Sequence, residues 1–242
     1  MCTLVVAART LPGLPLVVIA NRDEHVDRPS SPPALWPAAP GKARFIAPRD
    51  EVAGGSWLGW NEHGVFVGIT NRFDGPRDAT RTSRGGLVLD ALGEPSAAAI
   101  HARMASLDPS KYNGFHLVYA DGNDVLATVG DGATLAQLSL GDGVAIVTER
   151  SFATGADARR TARIRAAWQR TLSPAFDPGR ATTLLTEHDP DPSSATCLHL
   201  EEHRYGTRSS MVLTVRENGP PTMTWAEGTP CRTPFHAINL AF

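Results

Sequence analysis

The chain has 242 residues and a formal net charge of −2, with 42% hydrophobic and 20% charged residues. This length is enough for a large buried core, and we expect residues 1–242 to form a single domain. A charge so close to zero gives no electrostatic footprint for nucleic acid or an anionic membrane, so neither partner is expected.

The cysteines and the apolar segments indicate the compartment. The three cysteines, at positions 2, 197 and 231, are too few and too scattered for a disulfide framework. No CxxC pair occurs, so no metal site is expected. The first twenty residues lack a positive start and a small-residue cleavage site, and no apolar run is long enough to span a bilayer. We therefore expect a cytoplasmic protein without stable membrane insertion.

Strands and turns dominate the first seventy residues. Val- and Leu-rich segments separated by turn residues predict two antiparallel hairpins: Cys2–Ala7 with Pro15–Ala20, and Ser56–Trp60 with Val65–Thr70. The first hairpin turns at Pro12-Gly13. Arg28–Pro40 holds five prolines among thirteen residues, which predicts an extended covering loop.

Helices and further strands follow. Helical periodicity and capping residues predict four helices: Arg84–Leu92 capped by Ser83, a second from the cap Ser96 to Leu107, Asp157–Leu172, and Ala181–Glu187. The third helix has one apolar face and an arginine face that we expect to be solvated: Arg159, Arg160, Arg163, Arg165 and Arg170. Seven more strands are predicted: Gly114–Ala120, Asp124–Val129, Thr134–Leu138, Val144–Thr148, Thr196–Leu200, Ser210–Val215 and Thr222–Ala226. This order lacks strict βαβ alternation and favours an α+β fold of antiparallel sheets covered by helices.

Cys2 is a candidate nucleophile because of its position. Aminopeptidases remove an initiator Met before a small residue, which would leave Cys2 with a free α-amine. Such an amine is able to take the thiol proton near neutral pH, so one residue would supply both nucleophile and base. The alternative is a small buried residue that opens a strand.

The stretch Asn21-Arg22-Asp23-Glu24-His25 follows an apolar run. If the first two strands pair as a hairpin, this polar cluster lies beside Cys2. Asp23 would then orient the α-amine, and Arg22 would lower the pKa of the thiol or hold a substrate carboxylate. A solvated loop and a metal site that also uses Asp27 are the alternatives.

Two further polar segments come at strand ends. Asn71 ends an apolar strand and is a candidate oxyanion donor, with a turn residue as the alternative. Arg208 precedes another strand and is a candidate anion ligand, with an exposed turn Arg as the alternative. His199 and His203 are four residues apart, but no second element of a zinc motif accompanies them.

Together these segments resemble the NRDE family, which includes the transport and Golgi organisation protein 2 homologues. The matching segments occur in family order: Met1-Cys2, Ala20-Asn21-Arg22-Asp23-Glu24 with Arg28-Pro29, Ala53-Gly54-Gly55-Ser56-Trp57-Leu58-Gly59, Thr70-Asn71, Ser83-Arg84-Gly85, Tyr112-Asn113-Gly114-Phe115, and Tyr205-Gly206-Thr207-Arg208-Ser209-Ser210. The resemblance implies a four-layer αββα sandwich of the N-terminal-nucleophile hydrolases. In the similar choloylglycine hydrolases and penicillin V acylases, an N-terminal Cys attacks a non-peptide amide.

The resemblance also implies roles for individual residues. By motif position, Cys2, Asp23, Asn71 and Arg208 are the catalytic candidates, and Arg22 joins them although its offset from Asp23 differs from that in the acylases. One departure concerns Thr148-Glu149-Arg150, which stands where family members carry a Ser-Asn pair.

Three hypotheses follow. The first is an N-terminal cysteine amidohydrolase or acyltransferase that acts on a small-molecule acyl substrate and requires no cofactor. The second is a binding or trafficking protein for haem or an acyl-CoA-like lipid, which the resemblance implies through the family's eukaryotic members. The third is a non-catalytic relative in which the polar cluster is structural.

Overall fold

The computed structural model describes residues 2–37, 39–73, 77–151, 158–173 and 175–242; the predicted helix start at Asp157 lies outside them. Within these residues the strands are β1 (Thr3–Leu11), β2 (Leu14–His25), β3 (Ser30–Leu35), β4 (Phe45–Asp50), β5 (Leu58–Asn61), β6 (Phe66–Asn71), β7 (Phe115–Ala120), β8 (Val125–Gly130), β9 (Leu135–Ser139), β10 (Gly143–Thr148), β11 (His199–Leu200), β12 (Tyr205–Val215), β13 (Thr222–Glu227) and β14 (His236–Ile238). The α-helices are α1 (Gly85–Leu92), α2 (Ala97–Met104), α3 (Ala158–Thr171) and α4 (Pro178–Leu185).

The chain forms two compact units, and the first contains Met1–Asp27 and Asp142–Ala241. Its antiparallel sheet has the order β10-β1-β2-β12-β13-β14, with β11 added to β12. Alternate residues of β2, such as Val17 and Ile19, share an apolar core with Ile164 and Trp168 of α3. The strand period of two therefore directs the odd-numbered side chains of β2 toward the helices.

The second unit contains Arg28–Gly141. Its seven strands, β3 to β9, pair in sequence order as an antiparallel meander. Helices α1 and α2 pack on this sheet through an apolar core that includes Leu92 and Ile100. Ser96 caps α2 as predicted, because its side chain accepts a hydrogen bond of 3.1 Å from the backbone N–H of Ala99.

The polar segments at the two strand ends lie inside strands, which corrects the prediction that they follow or precede them. β2 continues to His25 and β12 begins at Tyr205. The two strands pair along this whole stretch, with Asp23 opposite Thr207 and Arg22 opposite Ser209. The backbone N–H and C=O groups of the polar residues are therefore hydrogen-bonded to a neighbouring strand, so the strand continues through them.

Other differences have local causes. Ser30–Leu35 forms strand β3 within the predicted loop; it lies at the sheet edge, where prolines are tolerated. The short strands β4 and β14 were not predicted. Arg84, rather than Ser83, is the N-cap of α1, and α2 ends at Met104. The predicted strand Thr196–Leu200 is reduced to β11, and the backbone N–H of Cys197 donates instead to the carbonyl of Glu187 at 3.0 Å.

The arginine face of α3 is not wholly solvated. Arg160 is fully buried, whereas Arg159 and Arg165 are exposed. No helix among the described residues combines the length and apolar character needed to cross a bilayer. The single domain over residues 1–242 stays a prediction.

Candidate active site

Cys2 lies beside the polar end of β2. In the β1–β2 register Thr3 is opposite Asn21, which brings the preceding residue next to Arg22 and Asp23. The Cys2 thiol is 3.8 Å from the carbonyl oxygen of Asp23. The proximity expected from the hairpin is therefore found, and Asp23 forms part of the wall around the thiol.

Neighbouring side chains bind both the carboxylate and the backbone carbonyl of Asp23. Its carboxylate accepts a 2.6 Å hydrogen bond from the hydroxyl of Thr207 and a 3.3 Å charged hydrogen bond from Arg160. The hydroxyl of Tyr205 donates to its backbone carbonyl at 2.8 Å. The side chains of Asp23 and Arg160 have no exposed surface, so this is a fully desolvated ion pair.

Arg160 is a site residue that the sequence reasoning missed. It was assigned to the solvated face because arginines surround it. However, Arg160, Ile164, Trp168 and Leu172 are spaced by four residues, so Arg160 continues the apolar face by one helical turn. That spacing was the signal that could have identified it.

Arg22 and Arg208 lie at the same end of the paired strands β2 and β12, in different surroundings. Arg22 is buried, and its guanidinium is 4.0 Å from the Glu24 carboxylate. Arg208 lies in the β-bulge between the Thr207 and Ser209 pairs of β12. The pKa of Asp27 is lowered mainly by its hydrogen bond from Arg204, and Arg208 contributes to the same effect. The positive charge of Arg208 therefore acts on the carboxylate of Asp27, an exposed residue just after β2.

The carboxylates of the polar stretch are engaged by neighbouring arginines. Asp23 is engaged by Arg160, and Asp27 receives two hydrogen bonds from Arg204, at 2.5 and 2.8 Å. The ring of His25 packs edge-on against Tyr205. The alternatives of a solvated loop and of a metal site are thus both weakened for these residues.

Glu149 adds a second carboxyl group to the site. Thr148, at the end of β10, is opposite Thr3, so Glu149 lies on the other side of the Cys2 backbone from β2. Glu149 is 6% exposed, and its Oε2 atom has no hydrogen-bond partner among the described residues. Burial raises the pKa of Glu149, while Arg160 opposes this and Asp23 adds to it. An ionisable side chain therefore stands at the position where the resemblance implies Asn.

The electrostatics of the site keep the thiol protonated. Burial raises the pKa of Cys2, the Asp23 carboxylate raises it further, and Arg22 acts in the opposite direction. Burial also raises the pKa of Tyr205, with added contributions from Cys2 and Asp23, so its phenol stays neutral and donates its hydrogen bond. A base is therefore needed to activate the thiol at neutral pH.

Asn71 belongs to the second unit. It ends β6, is exposed, and lies on the wall of a cavity of about 650 Å³. We call this the arginine cavity because four arginines line it: Arg72, Arg77, Arg81 and Arg84. Its remaining walls include Asp78, Asp131 and Asn113. Three of the family-like segments, around residues 71, 84 and 113, thus converge on one cationic cavity.

A family model and curated relatives match the sequence of this chain. A family model described as "Transport and Golgi organisation 2" matches residues 1–230. The human Transport and Golgi organization protein 2 homolog is 30% identical over 106 residues, which are 44% of this chain and 38% of that protein. The mouse homolog is 29% identical over the same shares of the two chains. The match thus spans well under half the length of these curated relatives.

Solved structures show the fold. The Caenorhabditis elegans N-acylethanolamine-hydrolyzing acid amidase ortholog has a TM-score of 0.58 at 13% identity, over 88% of this chain and 92% of its own. A mutant of the conjugated bile acid hydrolase from Clostridium perfringens has a TM-score of 0.58 at 10% identity, over 100% and 97%. The αββα fold of the N-terminal-nucleophile hydrolases is therefore confirmed. With the family match over residues 1–230, these findings establish that the chain belongs to the Transport and Golgi organisation 2 family.

Proposed function

We propose that the protein is an N-terminal cysteine amidohydrolase or acyltransferase that acts on a non-peptide amide or thioester. The observation that carries this proposal is the Cys2 thiol, 3.8 Å from the Asp23 carbonyl and beside the buried Asp23–Arg160 pair. The hydrolase fold of the structural neighbours supports it at the level of fold.

Removal of Met1 must precede the reaction, because it frees the α-amine of Cys2. The α-amine of Cys2 then takes the thiol proton as sulfur attacks the acyl carbonyl, and a thioester forms. The ammonium returns the proton to the leaving amine or thiol, and water releases the acyl group as a carboxylic acid. By resemblance, Asn71 is the proposed oxyanion donor, Asp23 and Arg22 set the protonation of the nucleophile, and Arg208 binds a substrate anion.

The environment of the thiol is consistent with a mechanism in which the α-amine is the base. A thiol with a raised pKa is a poor nucleophile until a base removes its proton. The α-amine has an ordinary pKa of about 7.7 and is able to act as that base near neutral pH. Arg160 is a positioning residue, because it holds the Asp23 carboxylate and not the substrate.

A carrier function is the second candidate, and the arginine cavity is the observation that favours it. Four arginines against two aspartates leave an excess of positive charge in a cavity of about 650 Å³. This volume lies within the usual range of about 300–1,000 Å³ for small-molecule sites. Propionates of haem or phosphates of an acyl-CoA are the anions that such a cavity would bind.

Acylation of Cys2 tests the enzyme. We expect N-terminal sequencing to show that the purified chain begins at Cys2. Incubation with a reactive acyl thioester or aryl amide, between about pH 6 and pH 9, should add one acyl group. Peptide mapping by mass spectrometry should place it on Cys2 and not on the partly exposed Cys231. A retained Met1, or the absence of a Cys2 adduct at every pH, would reject the enzyme.

Titration with haemin and with coenzyme A tests the carrier. Saturable binding, followed by the Soret band or by calorimetry, should weaken by about tenfold in Arg77→Ala, which removes one cation from the arginine cavity. Arg216→Ala is the matched control, because this exposed arginine lies outside that cavity. Equal affinity in both variants would show that the cavity is not the binding site.

Truncation of Arg160 tests the buried ion pair. Arg160→Met should lower the free energy of unfolding by about 3–5 kcal/mol, because it leaves the Asp23 carboxylate buried without its cation. The double variant Arg160→Met/Asp23→Asn should regain part of this loss in urea denaturation. Arg165→Met, on the exposed side of α3, should change stability by less than about 0.5 kcal/mol. A similar effect in Arg160→Met and Arg165→Met would contradict the structural role.

The pH dependence of stability tests the carboxyl of Glu149. Its pKa is raised by folding, so ionisation costs stability above the raised value, and the cost vanishes as pH falls to the ordinary value of 4.5. Glu149→Gln should therefore raise Tm by about 2–4 °C at about pH 8, with little effect near pH 4.5. Glu62→Gln should show the opposite sign at about pH 8, because Arg44 lowers the pKa of Glu62. A Glu149→Gln effect that is independent of pH would rule out ionisation as its cause.

A further inference from the structure

Four potential metal ligands meet in the first unit, outside the candidate active site. They are His188, Cys197, His199 and Cys231, which we call the Cys–His cluster. One ligand atom from each residue lies within 4.8 Å of the others. Cys197 is buried, Cys231 and His199 are partly buried, and His188 is exposed, so an ion is able to enter from solvent.

Two of the spacings between ligand atoms match those in a tetrahedral zinc site. The Nε2 atom of His199 is 3.5 Å from the sulfur of Cys197 and 3.4 Å from the sulfur of Cys231. A tetrahedral ion with Zn–S of about 2.3 Å and Zn–N of about 2.0–2.1 Å places sulfur and nitrogen about 3.5 Å apart. The rings of His188 and His199 are neighbours, with their centroids 5.0 Å apart.

Backbone hydrogen bonds hold the ligands together. The N–H of Cys197 donates to the carbonyl of Glu187 at 3.0 Å, which joins the segments that carry Cys197 and His188. His199 lies in β11, opposite Gly206. A Cβ atom at Gly206 would lie 2.6 Å from the carbonyl oxygen of Leu198, so this close strand approach requires glycine. Backbone pairing therefore holds the segment that carries Cys197 and His199 in place.

The last ligand comes from the segment after β13. The N–H of Gly228 donates to the carbonyl of Arg208 at 2.8 Å, and a turn is closed between Arg232 and Thr229 at 3.0 Å. Cys231 lies inside this turn, three residues after the glycine that is hydrogen-bonded to Arg208. Three separate chain segments thus supply the four ligands.

We propose that the Cys–His cluster binds one Zn²⁺ ion as a closed structural site. Two thiolates and two imidazoles are the ligand set that zinc prefers in such sites, and binding would displace the thiol protons of Cys197 and Cys231. This departs from the expectation of no metal site, which rested on the missing CxxC pair. The site is distinct from the proposed acyl-transfer site and does not depend on it.

A bound ion would stabilise the wall of the candidate active site. The N–H of Leu198, between two of the ligands, donates to the hydroxyl of Thr207 at 2.8 Å. The same hydroxyl donates to the Asp23 carboxylate at 2.6 Å. Zinc would therefore fix the position of Thr207, and through it the orientation of Asp23, without taking part in the chemistry.

Metal analysis of the full chain tests the proposal. Protein purified under reducing conditions from zinc-supplemented medium should hold roughly one zinc ion per chain. After chelation, Co²⁺ should produce the ligand-field bands of a tetrahedral site and thiolate charge-transfer absorption, and Zn²⁺ should abolish both. Removal of the metal should lower Tm by about 5–10 °C.

Single substitutions locate the site. Cys197→Ser, Cys231→Ser and His188→Ala should each lose most of the bound metal. His203→Ala is the matched control and should keep it, because His203 lies close in sequence but outside the cluster. If a variant does not fold, the Co²⁺ spectrum of the unaltered chain still decides the question.

Three results would overturn the proposal. The first is protein without zinc that also gives no tetrahedral Co²⁺ spectrum. The second is a Cys197–Cys231 disulfide in protein kept under reducing conditions, which mass spectrometry after alkylation would detect. The third is full zinc retention in both cysteine variants.

Discussion

The buried pair of Arg160 and Asp23 is the interaction on which the candidate active site depends. The two residues are 137 positions apart in the chain, and neither side chain reaches solvent. Each charge is tolerated only because the other is present, so α3 and the end of β2 must dock in one position. That position fixes the Asp23 carbonyl beside the Cys2 thiol. The position of the Asp23 carbonyl beside the Cys2 thiol therefore depends on an electrostatic requirement of the core.

The same pair lies near a second carboxyl group, because the Arg160 guanidinium acts on both Asp23 and Glu149. Burial and the Asp23 carboxylate make a thiolate at Cys2 costly, and Arg22 offsets part of this cost. The proposed mechanism therefore needs a base that arrives with the nucleophile. The Asn that the resemblance implies at position 149 would add no charge, whereas an ionised Glu149 would add a second negative charge near Arg160.

Part of this arrangement was predictable from sequence. A short turn between β1 and β2 dictates that the end of one strand returns beside the start of the other, so the meeting of Cys2 with Asp23 followed from local rules. The antiparallel α+β architecture followed from the order of elements. Arg160 and Glu149 were not found, because their burial depends on packing between distant segments. For Arg160, composition was misleading and helical spacing was informative: charge suggested solvent, while the four-residue period with Ile164 placed it in the core.

Strand β12 connects the Cys–His cluster to the surroundings of the Cys2 thiol. Its first residues pair with β2 on one side and with β11, which carries His199, on the other. Thr207 stands between them and uses one hydroxyl to accept from Leu198 and donate to Asp23. A hydroxyl has only one proton to donate, so the direction of this short chain of hydrogen bonds is fixed. Ordering of the Cys197–His199 segment therefore orients the Asp23 carboxylate, which is why a structural ion in that segment would act on the site without touching a substrate.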